Sequence, residues 1–396
     1  MAGYQARAGT VARHCNGLCG KEVEGTVTKF GKIAVLALIA VSLVIPSGCG
    51  FKDIDKRFFV VSVGIDKPRD PNKKFKVELK LAIPSGQERF GSNKYIIVSV
   101  ESNTLTEAVR LAKSKVDKEL DFGHAKAIVF GNDLFDEGTT LPEVMDWIAR
   151  RRDIQMISWM GIGKPDALGV LSSNPQSERL PSNMLFMIFG QTGTETAYIV
   201  SEYLFDFYRR MNERGLDPIL PIIETRDKDQ LSVNTMTVFN KERRVLDLQP
   251  RETLILNNFY QGLSKTEILV KSGDIDLVLS AAKVKSNFTI TGADSDKPVI
   301  HTITNVTASI EESKTPVSLD DLPKYEKAAE QLIEQRVAAL FKKLQKAGVD
   351  PVGFGLRYRA THRVGQKEWD RWTAVYPNIE FETKSECENI GNGDCG

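Results

Sequence analysis

One side chain in this sequence stands in a pattern with a readable covalent chemistry, and it is the thiol of Cys49. It follows the uncharged run Ile33–Ile45 and the residues Pro46, Ser47 and Gly48. A run of 13 residues is too short for a spanning helix, which needs about 20 residues, but it fits the 7–15-residue apolar region of an export signal. Lys29 and Lys32 supply the positive charge that holds the start of such a signal inside the cell. Small side chains at Ser47 and Gly48 leave the backbone open to processing enzymes, and a free sulfur is the nucleophile for thioether formation. The pattern is that of diacylglyceryl transfer to Cys49 followed by cleavage just before it. Pro46 departs from it, because Leu is usual at that position. Ordinary signal-peptide cleavage and an uncleaved anchor are the alternatives.

The residues ahead of Lys29 do not suit an export signal, whose charged start is normally short. Val27 is a candidate true start, as a GTG codon, and Lys21-Glu22-Val23 would then be a purine-rich ribosome-binding site read as protein. Codons other than AAG, GAG and GTN at those three positions would remove that idea. On that start, Cys15 and Cys19 are never made.

The other cysteines bound the chemistry further. None lies between Cys49 and Cys387, so a disulfide-built core is excluded; no CxxC pair occurs, and Cys15 with Cys19 is too isolated from other ligands to read as a zinc site. Cys387 and Cys395 either close a small loop in an oxidising compartment or stay as two thiols. The whole chain has 53 basic and 52 acidic side chains, and cleavage before Cys49 leaves a net charge of −2. That balance gives no reason to expect nucleic acid, which wants a concentrated positive field. Arg150-Arg151-Arg152 is the local exception and reads as a solvated helix end.

No catalytic constellation emerges. His124, His301 and His362 show no metal-ligand spacing. Gly161-Ile162-Gly163-Lys164 lacks the rest of a phosphate-binding loop, and GxSxG is absent. His124 reads as a structural histidine, and Trp369 with Trp372 as a helix face packed into the core. The expectation is therefore no catalysis, no cofactor and no metal.

The positioning elements are clearer. FFVVSVGID from Phe58 and FKVELKLAI from Phe75 read as an antiparallel pair, the second half-exposed with Lys76, Glu78 and Lys80 on the wet face. Strands follow at 95–100, 125–131 and in IQMISWMG. Helices are expected from Leu105, with Thr104 and Glu107 spaced as a capping box, over Leu141–Arg150, in PDALGVL and over Tyr203–Glu213. Pro175–Glu202 reads as a loop–helix connector. A hairpin turning at Asn240–Arg243 and a helix at Gln249–Asn258 come next. Three alternating segments follow, near 275–280, 283–290 and 303–310. Leu322–Ala347 is the clearest helix, closed by Gly348. A short helix carrying both tryptophans and a final strand NIEFETK end the pattern. The fold class is mixed α/β (α+β): several domains of mixed sheets with flanking helices, and a largely antiparallel second half ending in one long helix. The expected organisation is 1–48 extension and signal, 50–213 mixed module, 214–386 sheet-plus-helix module and 387–396 mobile tail.

Several of these segments together resemble the Ger(x)C family, the lipoprotein C subunit of spore germinant receptors. The resemblance rests on SGCG around Cys49, VVSVGID, LDFGHAKAIVFG, VFNKERRVLDL with ETLILNNFYQG, and VDPVGFGLRYRA followed by Trp369 and Trp372. It covers essentially Lys32–Cys387. It implies a non-enzymatic protein held by lipid on Cys49 at the outer face of the spore inner membrane, with integral-membrane A and B subunits as partners. A solute-binding lipoprotein of a membrane transporter and a spore-wall enzyme are the competing classes.

Overall fold

The computed structural model describes residues 56–82, 95–136, 138–173, 183–190, 196–227, 230–293, 295 and 297–392, together with 31 and 34–36. Among them, Lys56 onward form one compact unit.

The chain opens with β1 (Arg57–Asp66), β2 (Phe75–Ala82) and β3 (Tyr95–Ser102), an antiparallel meander. Helix α1 (Leu105–Lys113) follows, its first turn satisfied by the Thr104 hydroxyl, which accepts from Glu107 N–H at 3.1 Å. The capping box is not closed as expected, because the Glu107 carboxylate is drawn to the Ser102 hydroxyl instead. Then come β4 (Glu119–Asp121), β5 (Ala127–Gly131), α2 (Leu141–Arg150), β6 (Trp159–Lys164), α3 (Ala167–Ser172), α4 (Asn183–Gly190) and α5 (Leu204–Asn212). The strand read in IQMISWMG starts only at Trp159, after residues 152–157 have turned. Strands β7 (Ile219–Asp227), β8 (Gln230–Phe239) and β9 (Arg244–Leu248) complete a nine-stranded sheet in the order β3-β2-β1-β5-β6-β7-β8-β9, with β4 beside β1. Its centre, β1-β5-β6-β7, is parallel, and its two margins are antiparallel. The chain passes the boundary expected near residue 213 without leaving this sheet.

A parallel centre must be covered on both faces. Helices α1, α2 and α5 pack on one side, through Leu105, Val109, Leu141, Val144, Leu204 and Phe207. Helices α3 and α4 cover the other, through Ala167, Val170, Leu185 and Phe189. That second layer overturns the half-exposed reading of β2. Glu78 and Lys80 are 0% and 1% exposed, because α3 lies over the face they occupy. Alternation found the two faces correctly, but not that both would be dry.

The second half packs a smaller sheet against a long helix. After α6 (Pro250–Gln261), strands β10 (Thr266–Ser272), β11 (Ile275–Thr291) and β12 (Val299–Ser313) run antiparallel. Two of the three expected segments fuse into the 17-residue β11, and β10 is an additional edge strand. Helix α7 (Leu322–Lys346) spans roughly 38 Å at about 1.5 Å per residue. Gly348, at φ +71°, ends it as the sequence indicates. Its first half packs on the small sheet through Tyr325, Ala328 and Ala329. Its second half, through Val337, Leu340, Phe341 and Leu344, joins Ile219, Met236 and Val238 of the large sheet in one core. Helices α8 (Phe354–Thr361) and α9 (Gln366–Val375) add Tyr358 and Trp372 to that core. Strand β13 (Glu380–Asn392) then pairs parallel with β12. It carries Cys387, 7% exposed, inside a ladder where a tail was expected.

Candidate functional site

The residue on which the sequence reading turns, Cys49, lies outside the described residues, as do Cys15, Cys19, Val27, Pro46 and Cys395. The three later histidines are far apart in role. His124 is exposed with its ring 4.4 Å from Phe59, His301 bridges Thr291 and Glu382, and His362 sits on the Tyr358 carbonyl. No group of three His, Cys, Asp or Glu side chains able to hold a metal occurs among the described residues. The glycines of GIGK serve packing: a Cβ at Gly161 would sit 2.7 Å from Ile223, and one at Gly163 would sit 2.7 Å from the Asp166 carbonyl. Trp372 is buried, stacked on Tyr358 at 4.6 Å, and Trp369 is half-buried beside it.

Two clusters of buried charge hold the molecule together. At the end of β1, Asp66 accepts from Ala167 N–H and Leu168 N–H at 2.8 and 3.0 Å, and so closes the start of α3. Next to it Glu78 pairs with Lys76 at 2.7 Å, yet burial, with the Asp66 charge nearby, pushes its carboxyl up to about 8. Lys80 donates to the Ser173 carbonyl at 3.0 Å, and its ammonium is pulled down to about 8 by burial.

The second cluster joins the two halves. Glu202 and Arg210 form an ion pair at 3.0 Å, and the Arg210 guanidinium stacks 4.8 Å over the Tyr260 ring. Arg210 also donates to the Pro351 carbonyl at 3.1 Å. Lys241 collects the carbonyls of Arg210, Glu213 and Leu216 at the end of α5. Asp350 accepts from the backbone N–H groups of Gly353, Phe354 and Gly355 at 2.7–3.0 Å, while its own N–H donates to Asp217 at 2.6 Å. These contacts fix the α5–β7 turn against the α7–α8 turn. They make a rigid joint and contain no nucleophile and no paired acid and base open to a substrate.

An internal space lies between α6, α7 and the sheet β10–β12. It measures about 260 Å³. On α6 the residues facing it are Arg251, Leu254, Ile255 and Asn258, and on α7 Ile333, Arg336 and Val337. Each set keeps the three- and four-residue spacing of one helix face. Val278, Val284 and Val306 give an apolar floor, and Thr266 and Thr304 add hydroxyls. Tyr198 and Glu267, hydrogen-bonded to each other, stand at the rim. No motif in the sequence marks this site. The available signal was an arginine and an asparagine on otherwise apolar helix stripes, a pattern that also occurs at ordinary helix margins.

Comparison with known proteins agrees with this architecture. Residues 50–225 match the model of the spore germination protein N-terminal domain, and residues 234–393 match that of the spore germination B3/GerAC-like C-terminal domain. The chain is 23% identical over 385 residues to spore germination protein KC of Bacillus subtilis (strain 168), covering 89% of this chain and 94% of that protein. A crystal structure of the GerBC protein superposes with a TM-score of 0.53 at 16% identity, covering 85% of this chain and all of that one. Two adjoining domain matches that together run from residue 50 to residue 393 show that the chain belongs to the Ger(x)C family of spore germination proteins.

Proposed function

We propose that the chain is the C subunit of a nutrient germinant receptor in bacterial spores. In this reading it is held on the outer face of the spore inner membrane by diacylglycerol on Cys49, and assembles with integral-membrane A and B subunits. The observation that carries the reading is the pair of adjoining germination-domain matches, which cover nearly all of the chain after Cys49. The export-signal pattern before Cys49 supports the anchor. Each buried CH₂ of an acyl chain contributes about 0.8 kcal/mol, so two chains on one sulfur hold a protein stably. The role is assembly and signal transfer by binding rather than catalysis, which agrees with buried charges used as joints. A hinged solute-binding protein is a poorer fit, because the large sheet and the helices of the second half share one core.

The test is fractionation of spores or cells lacking the A and B subunits. The unaltered chain is expected in the membrane fraction and Cys49→Ala in the soluble one. Retention of Cys49→Ala in the membrane, with its signal processed, would overturn the lipid anchor.

A further inference from the structure

The space between α6, α7 and the small sheet has features that packing alone does not require. Arg251 and Arg336 both border it, and among the described residues neither makes an ion pair. Arg336 is partly buried and spends one N–H on the Leu269 carbonyl at 3.2 Å, out of the five that a guanidinium offers. Burial, with the positive charge of Arg251 close by, pulls the Arg336 guanidinium down from its ordinary value. Two cations at one space repel each other, weakly here because Arg251 is exposed to solvent. The carboxylate on the same rim, Glu267, is engaged by the Tyr198 hydroxyl and balances only one of the two charges.

The lining offers two further unmet groups. Asn258 Oδ1 and Thr266 Oγ1 are buried without a hydrogen-bond partner among the described residues. The Asn258 amide is held in place from its other end, where it donates to Ser286 Oγ at 2.6 Å, and Ser286 in turn meets Thr304 Oγ1 at 2.7 Å. Buried polar atoms without partners are uncommon and call for a water or a ligand group. The rest of the wall is apolar, formed by Leu254, Ile255, Ile268, Val306, Ile333 and Val337. Few convergent polar groups on an apolar wall are the usual build of a small-molecule site.

We infer that this cavity binds a small organic carboxylate with an apolar body, its carboxylate held by Arg251 and Arg336 at the rim and its body against the Ile268–Ile333 wall. Size sets the class. At roughly 30 Å³ per water-sized group, about 260 Å³ holds a molecule of the order of ten non-hydrogen atoms. A complete membrane-lipid acyl chain with its headgroup exceeds that volume. Planar guanidinium groups match a carboxylate with parallel hydrogen bonds, which a neutral amide of the same shape cannot accept. The inference goes beyond the receptor reading and does not depend on the anchor at Cys49.

The probe is 3-phenylpropionate, with 3-phenylpropanamide as its neutral counterpart and phosphatidylglycerol vesicles as the lipid arm. The full chain in mild detergent is heated with each, and affinity is measured by calorimetry. Ligand at about a hundred times its Kd should raise Tm by roughly 3–5 °C, and the amide should not. Arg251→Gln with Arg336→Gln should leave the ligand-free Tm within a degree or two, and weaken 3-phenylpropionate by about 10- to 100-fold. Val306→Phe, which fills the floor, should abolish binding without touching either arginine. Binding of acid and amide alike, binding that survives the double arginine change, or a shift given by the vesicles alone would each overturn the inference. So would the absence of any shift with 3-phenylpropionate, 4-methylpentanoate and leucine.

Discussion

Arg210 and Glu202 face each other at 3.0 Å with side chains 2% and 0% exposed, at the junction where α5 meets the second half of the chain. Burial pushes the Glu202 carboxyl up to about 7 against the pull of the guanidinium. The pair is thus expensive to desolvate and holds because each partner compensates the other. Removing one partner strands the other.

Arg210→Met should therefore destabilise the protein by about 3–5 kcal/mol, the usual cost of an uncompensated buried charge. Adding Glu202→Gln to it should recover part of that loss. Urea unfolding of the three chains checks both statements, and a single variant as stable as the parent would contradict the compensation argument.

Gly215 and Gly355 form a second contact at the same junction. Gly215 has φ +78°, its carbonyl accepts from Leu356 N–H at 2.8 Å, and a Cβ on Gly355 would lie 2.8 Å from Gly215 Cα. Backbone has to approach backbone here, so Gly215→Ala meets both an unfavourable φ and a clash. A loss of about 3 kcal/mol or more is expected, against less than about 1 kcal/mol for Gly273→Ala, where φ is also positive, at +59°, but nothing lies within 4 Å. Equal losses for the two would show that φ alone sets the cost.

Stability should fall as pH rises from about 5 to 8. Burial raises Glu78 to about 8, and Glu202 and Asp350 to about 7, above their ordinary values near 4. In that window the folded chain holds protons that the unfolded chain releases, so each unit of pH costs stability until the folded groups ionise. Below about pH 4 the sign reverses, because Glu101 is held low by hydrogen bonds from the Arg69 and Asp70 N–H groups, and in Asp121 the Gly123 N–H and the Arg57 guanidinium together outweigh its burial. Lys80, lowered to about 8 by burial, works the other way in alkali and returns stability above that pH. Thermal melts from pH 4 to 9 should show a maximum near about pH 5, and Glu78→Gln should flatten the descent. A Tm that climbs from pH 5 to pH 8 would refute the assignment.

Cys387 should be inert in the folded protein. It lies in β13 at 7% exposure, and burial together with Glu330, Glu326 and Glu334 pushes its thiol up to about 12. The thiolate is the reactive form, so a chain carrying Cys387 as its only cysteine should react with a thiol reagent at pH 8 only after denaturant is added. Rapid reaction of the native protein would show that β13 opens.

Much of the architecture was legible locally. Thr104 before Leu105 and Gly348 two residues past Lys346 each fix a helix end through one backbone requirement. Alternation in Phe75–Ala82 fixed which residues share a face. The cavity was not legible, because α6, β10 and α7 supply its walls from separate parts of the chain. No local pattern says that Arg251 and Arg336 will share one space.

Sequence by itself determined the family, through the order of its segments, and the element types, through period, caps and turns, because these depend on neighbours within a few residues. Tertiary structure alone decided which polar residues would lose water. Glu78 and Lys80 read as a wet face until α3 covered them, and Arg210, which no local pattern singles out, is enclosed by Glu202, Tyr260 and Pro351. Desolvation depends on every layer packed around a group, and those layers come from distant parts of the chain.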